Sequence, residues 1–275
     1  MLPADITESV RHALAEDLGS GDLSAALIAP RQELQARIIS REAGVLCGQP
    51  YVEAVFAQLS ADLQVDWQVT EGAEIAPEQV LCTLHGPARA LLTGERSALN
   101  FLQLLSATAT QTRAFVERLQ GSSTRLLDTR KTLPGLRLAQ KYAVRVGGGH
   151  NHRLGLFDGI LIKENHLAAI GGIAPAVARA RALAPVLTRV EVEVETLEQL
   201  DEAVAAGADM VLLDNFSLPA LREAVARVAR RIPLEASGNI SLETVTAVAA
   251  TGVDYLSVGS ITRNVQSLDL SLRYL

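Results

Sequence analysis

Cysteine is almost absent. Cys47 and Cys82 are the only two in 275 residues, too few for a disulfide framework or for a complete zinc site. Long apolar runs are missing as well. The longest uncharged stretch, Ser97–Thr112, carries Asn100, Gln103 and several hydroxyls, so no segment reads as a bilayer span and no membrane partner is expected. The first residues (MLPADITESVRHALAEDL) are acidic and lack an apolar signal core, which gives the expectation of a cytoplasmic protein. There is no Walker A sequence, no GxGxxG after a strand, no GxSxG elbow and no HExxH zinc pattern. Positive charge is the minority sign: 25 Lys and Arg stand against 31 Asp and Glu, a net charge of −6 that argues against general binding of nucleic acid or anionic membranes.

Lysine is scarcer still, and its distribution is informative. Lys131, Lys141 and Lys163 are all there is, and every other basic side chain apart from histidine is arginine. Between Arg125 and His166 eight Lys and Arg face three acids, so this window stands at +5 and the rest of the chain at −11. It also holds His150, His152 and His166, three of the five histidines. A compact ammonium and a planar guanidinium recognise anions differently, so lysines retained here point to an anion site. A solvated basic face is the bland alternative.

From about residue 125 onward, short apolar runs alternate with amphipathic stretches. The runs are Arg125–Asp128, Gly159–Lys163, Val190–Val194, Met210–Asp214, Pro233–Ala236 and Tyr255–Val258. Helical segments are expected at Leu197–Ala206, Leu218–Ile232 and Leu242–Thr251, with Gly207 and Gly252 as left-handed caps. Strand and helix in this succession indicate a parallel α/β unit, more readily a barrel than an open sheet. Six strands are legible, so closure at seven or eight needs one or two more. Earlier in the chain, Gln35–Val45, Val65–Val69, EGAEI and QVLCTLHG read as β structure. A helix follows at Arg89–Gln120, with Gly94 as a possible break. The expected organisation is an α+β, sandwich-like domain over residues 1–121 and an α/β barrel over 122–265, with 266–275 returning to the first domain.

Almost every barrel strand ends on polar chemistry, where α/β barrels build their sites. Asp128 leads into Thr129-Arg130-Lys131, and the next strand ends at Lys163. Glu193 and Asp214 close two neighbouring strands, and Ser237-Gly238-Asn239 and Val258-Gly259-Ser260 follow the last two. The two glycine loops suit a phosphate held by backbone N–H groups and a helix N-terminus. Arg130, Lys131, His152 and Arg153 supply cations at short spacing, and Lys163 on an apolar strand needs an anion or an acid beside it. Glu193 and Asp214 read as holding sugar hydroxyls or a Mg²⁺ that keeps some of its waters, or as an internal ion pair.

The block DTRKTLPGLRLAQKYAVRVGGGHNHRLGLFDGILIKENHL (Asp128–Leu167) resembles the quinolinate phosphoribosyltransferases. So do EDLGSGDLS, GERSALNFLQLLSATAT, EVEVETLEQ, VLLDN, EASGNI and VDYLSVGSIT, in order along the whole chain. Ser24 and Asn239 stand where that family often has Thr and a second Gly. The resemblance implies an incomplete, roughly seven-stranded barrel. It also implies a homodimer in which the partner subunit's Arg96 reaches the barrel site. The implied reaction joins quinolinate to 5-phosphoribosyl-1-pyrophosphate (PRPP) with Mg²⁺, giving nicotinate mononucleotide, pyrophosphate and CO₂. On that basis Arg130, His152, Arg153, Lys163 and the partner's Arg96 would hold the quinolinate carboxylates. Lys131 and Lys163 would meet pyrophosphate, Glu193 and Asp214 ribose or metal, and the loops at 237–239 and 258–260 the 5′-phosphate; Thr129 would also bind substrate. Three other readings stay open. Lys163 could be the Schiff-base lysine of an aldolase-like lyase, the chain could be a phosphorylated-metabolite sensor without turnover, or it could be a paralogue acting on another aromatic base.

Overall fold

The computed structural model describes residues 2–275. In chain order its elements begin with α1 (Ile6–Leu18), β1 (Glu33–Ser40), β2 (Gly44–Val45), α2 (Gln49–Leu59), β3 (Gln64–Trp67), β4 (Glu74–Ile75), β5 (Val80–Pro87) and α3 (Ala88–Arg118). They continue with β6 (Arg125–Leu127), α4 (Arg137–Val146), β7 (Ile160–Ile162), α5 (Glu164–Ile170), α6 (Ile173–Leu183), β8 (Val190–Val194), α7 (Leu197–Ala205) and β9 (Met210–Asp214). The last are α8 (Leu218–Val228), β10 (Leu234–Ser237), α9 (Val245–Ala249), β11 (Tyr255–Ser257), α10 (Ser260–Arg263) and β12 (Leu270–Tyr274).

These elements form two compact units, and the chain is not divided at a single point. The first unit comprises residues 2–113, 132–148 and 261–275, and the second 114–131 and 149–260. Helix α4 belongs to the first because Ala139, Tyr142 and Ala143 are part of its apolar core. That core is built on an antiparallel sheet in the order β12-β1-β5-β3. The C-terminal strand lies beside β1, with Ala36 opposite Tyr274 and Ser40 opposite Leu270. Side chains from α1, α2 and α3 complete the layer, among them Leu14, Phe56, Leu99 and Leu102. Both cysteines are free and buried here; burial pushes the Cys82 thiol up to about 12, and that of Cys47 well above its ordinary value.

Helix α3 runs unbroken through Gly94. The glycine marks a close approach: a methyl group in its place would lie 2.7 Å from the Phe56 ring edge and 2.8 Å from Leu59 Cδ1. It is retained for packing, although it weakens the helix by about 1 kcal/mol relative to alanine.

The second unit is a parallel sheet in the order β6-β11-β10-β9-β8-β7, with helices between its strands. Strands β8, β9 and β10 are buried along nearly their whole length, as expected where both faces are covered. All six expected strands are present, and Gly207 and Gly252 take left-handed φ values of 84° and 91°. Helix α8 stops at Val228 rather than Ile232 because Ala229 and Arg230 are left-handed, with φ of 48° and 62°. Helix α9 is shorter than its pattern suggests. A seventh strand is absent among the described residues. In its place beside β6 stands a single parallel bridge, Leu127 to His150. The chain leaves the sheet after that rung because the next two residues are bound to Asp128. Among the described residues no helix is long and apolar enough to cross a membrane.

Replacing Gly94 with valine is expected to destabilise the protein by about 1–3 kcal/mol, the usual range for overpacking. A lowered denaturant midpoint at unchanged slope would show it. An unchanged or raised midpoint would contradict the contact described.

Candidate active site

Side chains two apart on a strand point to the same face. On the inner face of the second unit this rule selects Glu191 and Glu193 from β8, Leu212 and Asp214 from β9, and Glu235 and Ser237 from β10. Lys163 directly follows β7 in step with Leu161. At the carboxyl ends of these strands is a cavity of about 440 Å³, lined by Thr129, Arg130, Lys131, His152, Arg153, Lys163, Glu193, Asp214 and Ser237 together with Glu235 and Ser257. That volume suits a small polar ligand. A cavity of about 480 Å³ lies in the first unit and one of about 550 Å³ adjoins this one, sharing His152 and Arg153, so size does not single it out. The convergence of four cations with two strand-end acids does.

The basic window divides. Arg130, Lys131, Arg153 and Lys163 line this cavity, while Arg125 borders another. Arg137, Lys141 and Arg145 sit on α4, which belongs to the first unit. What gathers the remainder is Asp128, a carboxylate wholly withdrawn from solvent. Its Oδ1 accepts the backbone N–H of His152 at 2.9 Å, and its Oδ2 accepts Asn151 Nδ2 at 2.6 Å. The His152 Nδ1 accepts the backbone N–H of Arg153 at 2.8 Å, and Arg153 Nη1 donates to the Gly159 carbonyl at 3.1 Å. Burial, and then the nearby Arg130, hold the Arg153 guanidinium below its ordinary pKa.

His152 Nε2 lies 2.9 Å from Glu191 Oε2 and 3.5 Å from Glu235 Oε2. Both ring nitrogens are thus engaged within the protein, and the ring borders the cavity without presenting an unused donor. His166 is committed as well: its Nδ1 accepts the backbone N–H of Lys163 at 2.9 Å and caps α5. Lys163 Nζ is paired with Glu193 Oε2. An ammonium held by a carboxylate suits anion binding. Asp214 Oδ2 accepts Asn215 Nδ2 at 2.7 Å.

Of the two glycine loops, only Ser237 lines the cavity. Gly238, with φ of 99°, must be glycine because a Cβ would lie 2.1 Å from Asn215 Oδ1, and Asn239 Nδ2 donates to that same oxygen at 3.2 Å. Val258 is buried, its N–H bonded to the Leu127 carbonyl at 3.1 Å. A Cβ on Gly259 would lie 3.0 Å from Lys131 Cδ, so the glycine leaves room for the lysine stem. Residues 238–244 separate β10 from α9, and Ser260 opens a helix of one turn. Any phosphate held here would rely on backbone N–H groups, with little help from a helix dipole. Arg96 lines a cavity of the first unit with His12, Glu16 and Asp17.

Two functional-site acids escaped the sequence reading. Glu191 and Glu235 look like interior strand residues, yet each stands two before a residue singled out, Glu193 and Ser237. The pleat alone would have put them on the same face. Burial, and then the Glu191 carboxylate, push the Glu235 carboxyl well above the usual carboxylate range, against a smaller opposing pull from His152. His152, Glu191 and Glu235 offer ligand atoms within 4.8 Å of one another. A metal does not suit this trio: with Nδ1 accepting from Arg153, the ring proton is on Nε2, where a cation would need a lone pair. Glu193 and Asp214, two oxygen donors facing open volume, suit a hard cation better.

The raised Glu235 pKa fixes the sign of a pH effect. The folded chain keeps a proton that the unfolded chain has lost, so the stability tied to it is complete below the unfolded pKa and is lost as pH rises toward the folded value. Glu235→Gln cannot titrate. Its melting temperature is expected to gain on that of the unsubstituted protein as pH is raised from about 5 to about 8, measured by thermal denaturation in a buffer series. Parallel curves would refute the assignment.

Known proteins agree with this fold. The family models described as "Quinolinate phosphoribosyl transferase, N-terminal domain" and "C-terminal domain" match residues 22–106 and 108–273. The probable nicotinate-nucleotide pyrophosphorylase [carboxylating] of Bacillus subtilis is 44% identical, over 96% of this chain and 91% of its own length. The nicotinate-nucleotide pyrophosphorylase [carboxylating] of Mycobacterium leprae is also 44% identical, over 96% and 95%. Among solved structures, the nicotinate-nucleotide pyrophosphorylase from Francisella tularensis superposes with a TM-score of 0.95 at 46% identity, covering 100% of this chain and 98% of that one. NadC from Streptococcus pyogenes gives 0.94 at 42%, covering 100% and 99%. With both domain models matched and relatives this similar over nearly their full length, the chain belongs to the quinolinate phosphoribosyltransferase family.

Proposed function

We propose that the protein transfers the phosphoribosyl group of PRPP to quinolinate and releases pyrophosphate and CO₂, forming nicotinate mononucleotide for de novo NAD synthesis. The observation that carries this reading is the convergence of Arg130, Lys131, Arg153 and Lys163 on one cavity that Glu193 and Asp214 also face. Quinolinate has two adjacent carboxylates and PRPP a monophosphate and a pyrophosphate, so the reactant pair needs that density of cations. The names carried by the relatives of B. subtilis and M. leprae agree with it.

In this reading Arg130 and Arg153 grip the carboxylates in bidentate fashion. Lys163 serves a carboxylate or the pyrophosphate, and Lys131 the pyrophosphate. His152 acts by holding Arg153. The carboxylates of Glu193 and Asp214 hold ribose hydroxyls and favour positive charge at the anomeric carbon as pyrophosphate leaves. The pyridine nitrogen forms the new bond to that carbon and becomes a pyridinium. Its positive charge stabilises the electron pair left at C2 when the adjacent carboxylate departs as CO₂, and a proton then takes that position. Orientation and fixed charge do the chemistry, with no covalent enzyme intermediate. Thr129, Ser237–Asn239 and Gly259–Ser260 are assigned to the 5′-phosphate side, Val258 being buried with its N–H bonded to the Leu127 carbonyl. Glu193 and Asp214 would also hold a Mg²⁺, which when bound neutralises pyrophosphate charge. A homodimer in which the partner subunit's Arg96 completes the carboxylate site is part of the proposal.

Supplied with PRPP and Mg²⁺, the protein should release CO₂ and pyrophosphate with quinolinate and give little product with nicotinate, which lacks the second carboxylate. Equal turnover of both would overturn the substrate assignment. Arg153→Ala is expected to lower kcat/KM by about 30- to 1,000-fold, roughly 2–4 kcal/mol of transition-state stabilisation. Arg96→Ala should be similarly impaired, and mixing it with an Arg153→Ala chain should restore part of the activity. Absence of restoration in a mixed dimer would argue against a shared site.

A further inference from the structure

Glu235 has no task in the chemistry above, although its carboxyl is fully buried against the cavity. Three buried carboxylate oxygens, Glu191 Oε1 and both of Glu235, accept no hydrogen bond of ordinary geometry among the described residues, although His152 Nε2, 3.5 Å from Glu235 Oε2, and the Ser257 hydroxyl face Glu235. Leaving several buried acceptors unsatisfied, with two like charges adjacent, is costly. One proton on Glu235 removes a charge and supplies the missing donor. The groups facing it are Glu191 from β8, His152 from the loop after β6 and α4, and the Ser257 hydroxyl from β11. From there the contacts run in series: Glu191 Oε2 accepts from His152 Nε2, and His152 Nδ1 accepts the Arg153 N–H. Asp128 fixes the same segment through the His152 N–H. The backbone that carries the Arg153 guanidinium is thereby held at two successive residues.

We propose that Glu235, in its protonated form and acting through Glu191 and His152, is a positioning residue that sets Arg153 for recognition of the pyridine dicarboxylate. This rests on the reading of the cavity as a quinolinate site. Its consequence is selective. Losing the buried proton donor should loosen the carboxylate grip and leave the phosphoribosyl side nearly untouched.

The test compares Glu235→Gln, which keeps shape and a donor, with Glu235→Met, which fills similar volume without one. In steady-state kinetics on the full-length protein, the Gln variant should stay within about threefold of the unsubstituted protein, while the Met variant raises KM for quinolinate roughly 10- to 100-fold, as for loss of an outer-shell partner, and shifts KM for PRPP by less than about threefold. Equal impairment of both variants, an unimpaired Met variant, or a joint rise of both KM values would overturn the proposal. A second readout needs no substitution and no turnover: ¹⁵N resonances of the His152 imidazole near neutral pH should report a proton on Nε2 and none on Nδ1. An imidazolium or the opposite tautomer would overturn it. A protein that gives no product from quinolinate yet shows the expected tautomer would defeat the substrate reading and leave the positioning role standing.

Discussion

Asp128 is the interaction on which the site depends. A carboxylate with no access to water must be satisfied by donors, and the loop at 151–152 offers it a side-chain amide and a backbone N–H. Charge-assisted bonds of this kind are about twice as strong as neutral ones. The loop cannot extend into another strand without surrendering them, so the sheet stops at one bridge, and the rim there is built by a bound loop. The acid fixes residues 151 and 152, while the glycines before them are held by the end of α4 and by Arg113, whose Nε donates to the Gly147 carbonyl at 3.1 Å.

Much of this was legible in the sequence because parallel strands leave a simple mark. Runs such as MVLLD and VEVEV are apolar over their buried length and polar where they emerge. Reading the emergent residues located Lys163, Glu193, Asp214 and Ser237 on one rim, and the structure gathers those with Arg130, Lys131 and Arg153. Gly94 was ambiguous because a glycine inside a helical pattern has the same appearance whether it breaks the helix or admits a neighbour; only the position of Phe56 decides.

Other features were illegible for physical reasons. The basic window does not fall in one unit, although charge counted along the chain joins it. Helix α4 is amphipathic, and its apolar face commits Ala139 and Tyr142 to the core of the first unit, taking Lys141 with them. The loops after β10 and β11 were read as phosphate cradles backed by helices, yet seven irregular residues separate β10 from its helix and β11 is followed by a single turn. His152 was read as a direct ligand. A histidine's two nitrogens can be assigned only when its neighbours are known, and here a backbone N–H and two buried acids take both.

A cavity that must receive several negative charges has to be cationic before they arrive, and that requirement conflicts with stability. Four cations left to themselves in a partly buried space would repel one another. The acids moderate this without closing the site. Lys163 meets Glu193 with one of three donors, so an anion can be added without displacing the acid. Arg130 is the opposite case: its Nε is buried with no partner among the described residues. A donor left unmet in the folded protein raises the free energy of that state, and an incoming carboxylate or phosphate oxygen relieves it. Part of the affinity for an anion is therefore set during folding, as geometry already fixed and hydration already removed. That is the condition under which fixed charges act most strongly on a transition state, because nothing needs to reorganise when the new charge develops.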